Sequence, residues 1–471
     1  MKHITSLLVR ARVRVRVKFG AWTMPAILLG CLAMAPLYAA SARDAWVVQQ
    51  IKTYNTPFKA QLPQELKTKM DKMALSPFTF YRGTAHVFYE DMKQLGNSKF
   101  LNTANSKAWI NGDLHLQNVG AFKDANGKVV FDLTDFDESY WGPYVWDIRR
   151  MAVSIVLAAK ENGMGSNDQQ TLVNDFVDAY LSKISDFKGT QNETSETLTT
   201  ANTKGEVKNT LQASEGQTRS AFLAKYTVVT NAKRSFLTTA DLAQLDATGY
   251  NSIKSGVANY VASIASGKRY ASSFYSVKDI RVKLGSGVGS LGRYRIYVLI
   301  EGPSSAHTDD VILQLKQEST SAVSIALPNH MPAAVYGNHD GQRAALSMKA
   351  ALTNTDVLVG WTTINGAPYL VREKSPFEAD FDSTQLSKTA DFSDAVKLLG
   401  KVVAKAHALA DKDYDANLIP DSMDKEIDDT AGSNKSGFKQ EVLNFALDYA
   451  KQVELDHQSF LKAYKAGTPL Y

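Results

Sequence analysis

Two short acidic segments hold the residue types best suited to chemistry. Residues 111–118 read Asn-Gly-Asp-Leu-His-Leu-Gln-Asn, and residues 131–138 read Phe-Asp-Leu-Thr-Asp-Phe-Asp-Glu. Asn126-Gly127 between them favours a tight turn, so two strand ends are expected to bring Asp113, Asn118 and Asp135 together. A carboxylate, an amide oxygen and a second carboxylate make the hard, oxygen-rich site that Mg²⁺ takes, with water and phosphate completing its shell. Asp113 is then the candidate general base, and Asn118 and Asp135 are candidate metal ligands. Four residues are expected in support. His115 would bond the loop backbone and hold Asp113 in place, Asp137 follows the metal aspartate, and Asp147 would cap a helix. Arg82 would contact an anion or pair with Asp132 or Asp137. The competing reading makes the two segments Asp-rich turns whose carboxylates only cap backbone amides.

A second constellation follows later. Gly287-Val288-Gly289-Ser290-Leu291-Gly292 is a G-x-G-x-x-G segment, and it opens an alternating strand, 293–300, rather than a helix. That context argues against a dinucleotide-binding unit. It fits the glycine-rich turn that covers phosphates in protein kinases, with Gly287, Gly289 and Gly292 as phosphate-binding positions. Lys316 closes the next strand, where kinases place the lysine that grips the α- and β-phosphates. The spacing Asp113-Leu-x-x-x-Asn118 likewise equals that of the kinase catalytic loop, and Asp135-Phe-Asp137 stands where Asp-Phe-Gly would. The order is reversed: catalytic loop and metal aspartate come first, glycine turn and lysine later. Circular permutation explains that order, and it is physically inexpensive where chain termini lie close.

The elements that must position these groups are legible in outline. Residues 44–75 read as helices broken at Pro57 and Pro63, and 147–161 as a helix between Asp147 and Gly163. Residues 281–316 read as strands, 340–352 as a helix, and Asn365-Gly366 as a hairpin turn. Helices close the chain at 391–411 and 436–465, the first ending in Ala404-Lys405-Ala406-His407 like the helix that leads into a kinase catalytic loop. Residues 188–220, rich in Thr, Asn, Gln and Ser, read as a long loop or weakly ordered insert. There is no internal repeat.

Several stretches resemble a bacterial family catalogued as domain of unknown function 2252. They are Phe80–Gly83, Gly112–Gly120, Phe131–Glu138, Gly142-Pro143 with Trp146-Asp147, Gly341–Arg343, Val371–Pro376 and Tyr449–His457, spanning about residues 55–467. The resemblance implies a fold related to protein kinases and aminoglycoside phosphotransferases. The expected architecture is therefore α+β, a two-lobed, circularly permuted kinase-like domain at 43–467. Its catalytic-loop lobe would cover 76–280 with the insert at 188–220, its glycine-loop β lobe 281–376, and its returning helices 377–467. Mg²⁺ and ATP are the implied cofactors, with a small-molecule or protein hydroxyl as acceptor. One departure is that the helix at 340–352 contains no Glu to pair with Lys316. A kinase-like binder without turnover is the alternative. A metallophosphoesterase is more distant: Asp113-Leu114-His115 and Gly337-Asn338-His339-Asp340 imitate two of its motifs, but a middle motif is missing.

Composition bounds the partners and the compartment. The 471 residues are 44% hydrophobic and 21% charged, which suits a globular chain. The net charge of +5 comes from 53 basic and 48 acidic residues. Six of the basic residues, Lys2, Arg10, Arg12, Arg14, Arg16 and Lys18, lie within 1–42, which holds no acid, so the remainder carries 47 against 48. A nucleic-acid partner is therefore not expected. Basic residues to Lys18, an apolar run at 25–35 and Ala40-Ser41-Ala42 read as a signal peptide at 1–42, implying export, in a bacterium to the periplasm. An uncleaved leader anchor, or a lipid on Cys31, the only cysteine, is the alternative.

Overall fold

The computed structural model describes residues 40–471. The expected leader and Cys31 lie outside them, save that Ala40–Ala42 open the first helix. The described chain is α+β, 52% helix and 14% strand.

The sequence opens with Ala40–Asn55 (α1), Pro63–Met73 (α2), Pro77–Gly83 (α3) and Ala85–Leu95 (α4). Four short strands follow, Ala108–Ile110 (β1), Val119–Lys123 (β2), Val129–Leu133 (β3) and Tyr140–Gly142 (β4). β2 and β3 form an antiparallel hairpin, and β1 pairs with β4. The hairpin turns where Asn126-Gly127 requires it: Gly127 has φ +78°, and the Asp124 carboxylate accepts from the amides of Asn126 and Lys128.

Tyr144–Glu161 (α5) begins three residues before Asp147, after Pro143, and ends at Asn162 with Gly163 at φ +78°. Asp147 therefore lies in the first turn of α5 and is not its cap; its carboxylate is engaged elsewhere, as described below. Ser166–Phe187 (α6) packs against α5 and against Thr389–Leu409 (α13) and Lys435–Lys465 (α16), which complete the helical part.

Residues 188–220 are the expected loop only in part: 188–204 are irregular apart from the single turn Asn192–Thr194, and a helix follows. Gly205–Glu215 (α7) buries Val207, Thr210, Leu211 and Ser214, spaced as one helical face. Half of that face is hydroxylic, which hid the helix in a polar composition. Arg219–Tyr226 (α8) continues into the hairpin Thr227–Thr230 (β5) and Lys233–Phe236 (β6).

The main sheet has six antiparallel strands in the order β11-β12-β10-β9-β8-β7. They are Leu242–Ala243 (β7), Val277–Lys283 (β8), Arg295–Ile300 (β9), Val311–Gln317 (β10), Gly360–Ile364 (β11) and Ala367–Glu373 (β12). Period-2 alternation divides its faces. Ile296, Val298, Ile300, Leu313, Leu315 and Val371 pack against Ile253, Val257 and Tyr260 of Ala247–Ser263 (α9). The opposite face carries Tyr297, Gln314, Lys316 and Arg372 into a cavity of about 990 Å³, within the range of small-molecule sites. Two single turns, Val323–Ala326 (α10) and Ala333–Tyr336 (α11), lead to Asp340–Ala351 (α12). α12 crosses β12 at Gly341, where a Cβ would fall 2.4 Å from the Tyr369 backbone, so only glycine permits that approach. β11 and β12 join through Asn365 (φ 51°) and Gly366 (φ 78°), the left-handed pair of a type I′ turn.

After β12 the chain returns to the helical part. Ala379–Asp380 (β13) adds to the β2–β3 hairpin, and Lys412–Asp415 (α14) and Met423–Thr430 (α15) separate α13 from α16. Among the described residues no helix is long and apolar enough to cross a membrane.

Candidate functional site

The two chemical constellations, residues 111–138 and 287–316, line one cleft. Asp113, His115, Asn118, Asp135 and Asp137 face Gly287, Gly289 and Arg82 around a small cavity of about 60 Å³, which adjoins the larger one. The glycine segment is a turn between β8 and β9, as its sequence context required.

The loop at 111–118 is fixed from behind. Asp147 accepts the amides of Asn111 (2.6 Å) and Gly112 (3.0 Å), so it caps this loop instead of its own helix. His407, at the end of α13, reaches Asp147 at 3.3 Å through Nε2 and the Tyr180 hydroxyl at 2.9 Å through Nδ1. Asn118 Nδ2 donates to the Asp113 carbonyl (2.8 Å), leaving its Oδ1 for the cleft, and Asn111 Nδ2 donates to the Asp135 carbonyl (2.6 Å). His115 Nδ1 accepts from the Gln117 amide, and its Nε2 stands 3.8 Å from Asp113 Oδ2. Burial, aided by Arg82 and Arg150, holds His115 neutral by pushing its pKa well below the usual value.

Asp113 itself is bound by a residue that sequence reasoning missed. Arg150 Nε donates to Asp113 Oδ1 (2.8 Å), Nη2 bonds the same oxygen, and the guanidinium stacks on the Tyr81 ring at 4.3 Å. Oδ2 is left facing the glycine turn: a Cβ on Gly289 would lie 4.0 Å from it. Burial outweighs the Arg150 charge and raises the Asp113 pKa to about 7.

Lys316 finds its partner on the acidic segment. Its Nζ lies 2.6 Å from Asp137 and 3.0 Å from Asp135. Burial works against Asp135 ionising, yet Lys316 and its hydrogen bonds hold that carboxyl well below its usual pKa. α12 offers no glutamate but supplies Arg343, fully buried, which donates to the carbonyls of Asp137, Ser139 and Ser319 and to Asp340. It pins the segment after Asp135 to the end of β10. Neither of the partners expected for Arg82 is free: Asp132 takes Lys405, and Asp137 takes Lys316.

The donor set fits Mg²⁺. The Asp135 carboxylate is 39% exposed to the cleft, Asp137 Oδ1 is buried without a hydrogen-bond partner, and Asn118 Oδ1 is uncommitted by its amide's bond. Among the described residues no three His, Cys, Asp or Glu side chains converge as a ready-made cage. A Mg²⁺ bound by one or two carboxylates and substrate phosphates needs none. His339, by contrast, caps α12 through Nδ1, contacts Thr363 through Nε2 and lines neither cavity.

α2 grips the glycine turn from outside. Lys72 Nζ donates to the carbonyls of Gly285 and Gly287, Lys69 Nζ to that of Gly289, and Glu65 accepts the Gly285 amide. Lys69 is fully buried, and desolvation together with Arg293 lowers its pKa to about 7. Gly292, at φ +100°, lets Leu66 of α2 press in: a Cβ there would sit 2.5 Å from its Cδ2. Gly292→Ala is accordingly expected to cost about 1–3 kcal/mol, read as a lower denaturant midpoint.

The insert also reaches the cleft. Ser214 and Gln217 donate to the carbonyls of Phe377 and Glu378, between β12 and β13, and Tyr226 packs edge-on against Tyr297 at 5.7 Å. A family model described as "Uncharacterized protein conserved in bacteria (DUF2252)" matches residues 61–463. No curated protein and no solved structure matches the chain.

Proposed function

The chain belongs to the bacterial DUF2252 family, and from that premise and its cleft we propose a circularly permuted, kinase-like, Mg²⁺-dependent phosphotransferase that acts on a hydroxyl acceptor. One observation carries the reading: a glycine turn between antiparallel strands lies over Asp113, Asn118 and Asp135, with the Lys316 ammonium on Asp135. These are the parts that position and neutralise a transferring phosphoryl group. The end of α13 supports the permutation. His407 and Lys405 meet Asp147 and Asp132 beside the loop at 111–118, where an unpermuted chain would run directly from helix to loop.

In this reading the acceptor hydroxyl attacks the terminal phosphorus of ATP, ADP leaves, and the hydroxyl proton passes to Asp113 Oδ2. Arg150 keeps Oδ1 occupied, so Oδ2 is the atom that takes the proton. His115 packs beside that oxygen and, being neutral, leaves the carboxylate basic. Asn118 and Asp135 would hold Mg²⁺, which supplies charge neutralisation to the phosphates when bound. Lys316 would move from Asp137 and Asp135 to the α- and β-phosphates. A binder without turnover is the second reading, favoured by the tie of Lys316 to both aspartates and by the absence of Glu from α12.

Thermal unfolding of the purified chain with and without Mg²⁺-ATP tests the site. At 100 times the dissociation constant the ligand stabilises by about 2.7 kcal/mol. That gain is expected in the wild type and lost in Asp135→Ala. No shift in the wild type sinks the nucleotide reading. A shift without phosphate transfer to any hydroxyl favours the binder.

A further inference from the structure

Two guanidinium groups in the cleft lack an anionic partner. The Arg82 side chain, from α3, makes no hydrogen bond and no ion pair among the described residues, and its Nε is buried. It faces the carboxylates of Asp113, Asp135 and Asp380 without touching them. Arg295, the first residue of β9, donates among the described residues only to Ser290 Oγ, at 3.2 Å. Other cations around the site are engaged: Arg150 by Asp113, Lys316 by Asp135 and Asp137, Arg343 by Asp340, Arg293 by Asp137 and Glu138 at 3.8 and 3.9 Å, and Lys69 by the Asn55 amide oxygen and the Gly289 carbonyl. Both arginines are half-buried; an arginine cannot shed its proton to escape burial, and a charge drawn partly out of water without an ion-pair partner is costly. Such a group calls for a ligand.

Both arginines meet the glycine turn. A Cβ on Gly287 would lie 3.7 Å from Arg295 Nη2, and one on Gly289 would lie 3.4 Å from the Arg82 carbonyl and 4.0 Å from Asp113 Oδ2. Both also line the small cavity and the large one, so they stand where the two join. One comes from the helical part and the other from the sheet.

We propose that Arg82 and Arg295 form a clamp, one arm from each side of the cleft, for the terminal dianionic phosphoryl group beside Asp113. The clamp rests on the phosphotransferase reading only for the identity of the donor; its own claim is a phosphate site. Forked N–H donors suit a phosphoryl oxygen pair, and charge spread over the equatorial oxygens of a transferring phosphoryl is what an arginine can stabilise. Because neither arginine has an ion-pair partner to lose, and Arg295 gives up one hydrogen bond to Ser290 Oγ, methionine at either position is expected to change the ligand-free unfolding midpoint little.

Calorimetric titration of the full chain with Mg²⁺-ATP, Mg²⁺-ADP and inorganic pyrophosphate tests the clamp in wild type, Arg82→Met, Arg295→Met and Arg82→Lys. Loss of a charge-assisted contact predicts that each methionine variant binds Mg²⁺-ATP about 10–100-fold more weakly. Mg²⁺-ADP should bind nearly as in the wild type, and Arg82→Lys should recover part of the loss because it keeps charge but not the fork. Unchanged Mg²⁺-ATP and pyrophosphate affinity in both methionine variants overturns the clamp and leaves the nucleotide reading standing. Equal losses for ATP and ADP overturn the assignment to the terminal phosphate. Pyrophosphate binding that needs both arginines, in a wild type that ignores ATP, supports the clamp and rejects ATP as donor. No binding of any of the three by the wild type overturns both.

Discussion

Arg150→Met is expected to lower stability by about 3–5 kcal/mol, the cost of leaving a buried charge without its partner, and to move any pH–rate profile to higher pH. Arg150 is fully buried; its guanidinium lies between the Asp113 carboxylate, the Tyr81 carbonyl and the rings of Tyr81 and Phe88. Methionine keeps most of the volume and removes the charge. Asp113 already titrates near 7 because burial outweighs Arg150; without that cation its pKa rises further. In the proposed reaction the base must be unprotonated to accept the acceptor's proton, so the rate is expected to rise with pH through about 7 in the wild type and at higher pH in the variant. Stability has the opposite sign. A carboxyl raised in the folded state contributes stability that is complete below its unfolded pKa and is lost as pH rises through the folded value. The deficit of Arg150→Met is therefore largest above pH 7 and shrinks in acid. Denaturant midpoints at about pH 5 and 8 read it, and an equal deficit at both would refute the pairing as its cause.

Arg343→Met should be comparably severe, about 3–5 kcal/mol, for a different reason. Three backbone carbonyls and Asp340 lose their donor at once, and the bonds to Asp137 and Ser139 are buried. The carbonyls of Asp137 and Ser139 belong to the segment following Asp135, so the loss also frees the chain that orients the proposed metal ligand. Chemical unfolding measures the first effect. The second appears as weaker Mg²⁺-ATP binding at a temperature where the variant is still folded. Arg343→Lys, with one ammonium for four acceptors, is expected to rescue neither.

The sequence carried those parts of the site that depend on local signals. Asn365-Gly366 demands a left-handed pair, the alternation through 294–300 demands a sheet face, and Asp113, Asn118 and Asp135 share a turn-and-hairpin context that leaves few arrangements. What stayed hidden depends on distant partners. Asp147 looks like a helix cap because an aspartate near a helix start is the same signal whether it caps its own amides or those of residues 111 and 112. Arg150 and Arg343 resemble surface arginines until tertiary structure buries them. α7 has Thr210 and Ser214 on its inner face, which masks a helical stripe. The kinase pattern points to a glutamate in α12 as partner of Lys316, whereas Asp137, two residues beyond Asp135, pairs with it.

The grip of α2 on the glycine turn bears on the speed of binding. A flap of glycines would ordinarily open on its own, but here three of its carbonyls are held by Lys69 and Lys72 and one of its amides by Glu65. For the proposed site, ligand entry by that route waits for a helix, so association should be slower than the 10⁵–10⁷ M⁻¹s⁻¹ or so typical of specific docking. Once the turn has closed over a ligand, the same contacts delay its departure, giving long residence out of proportion to affinity.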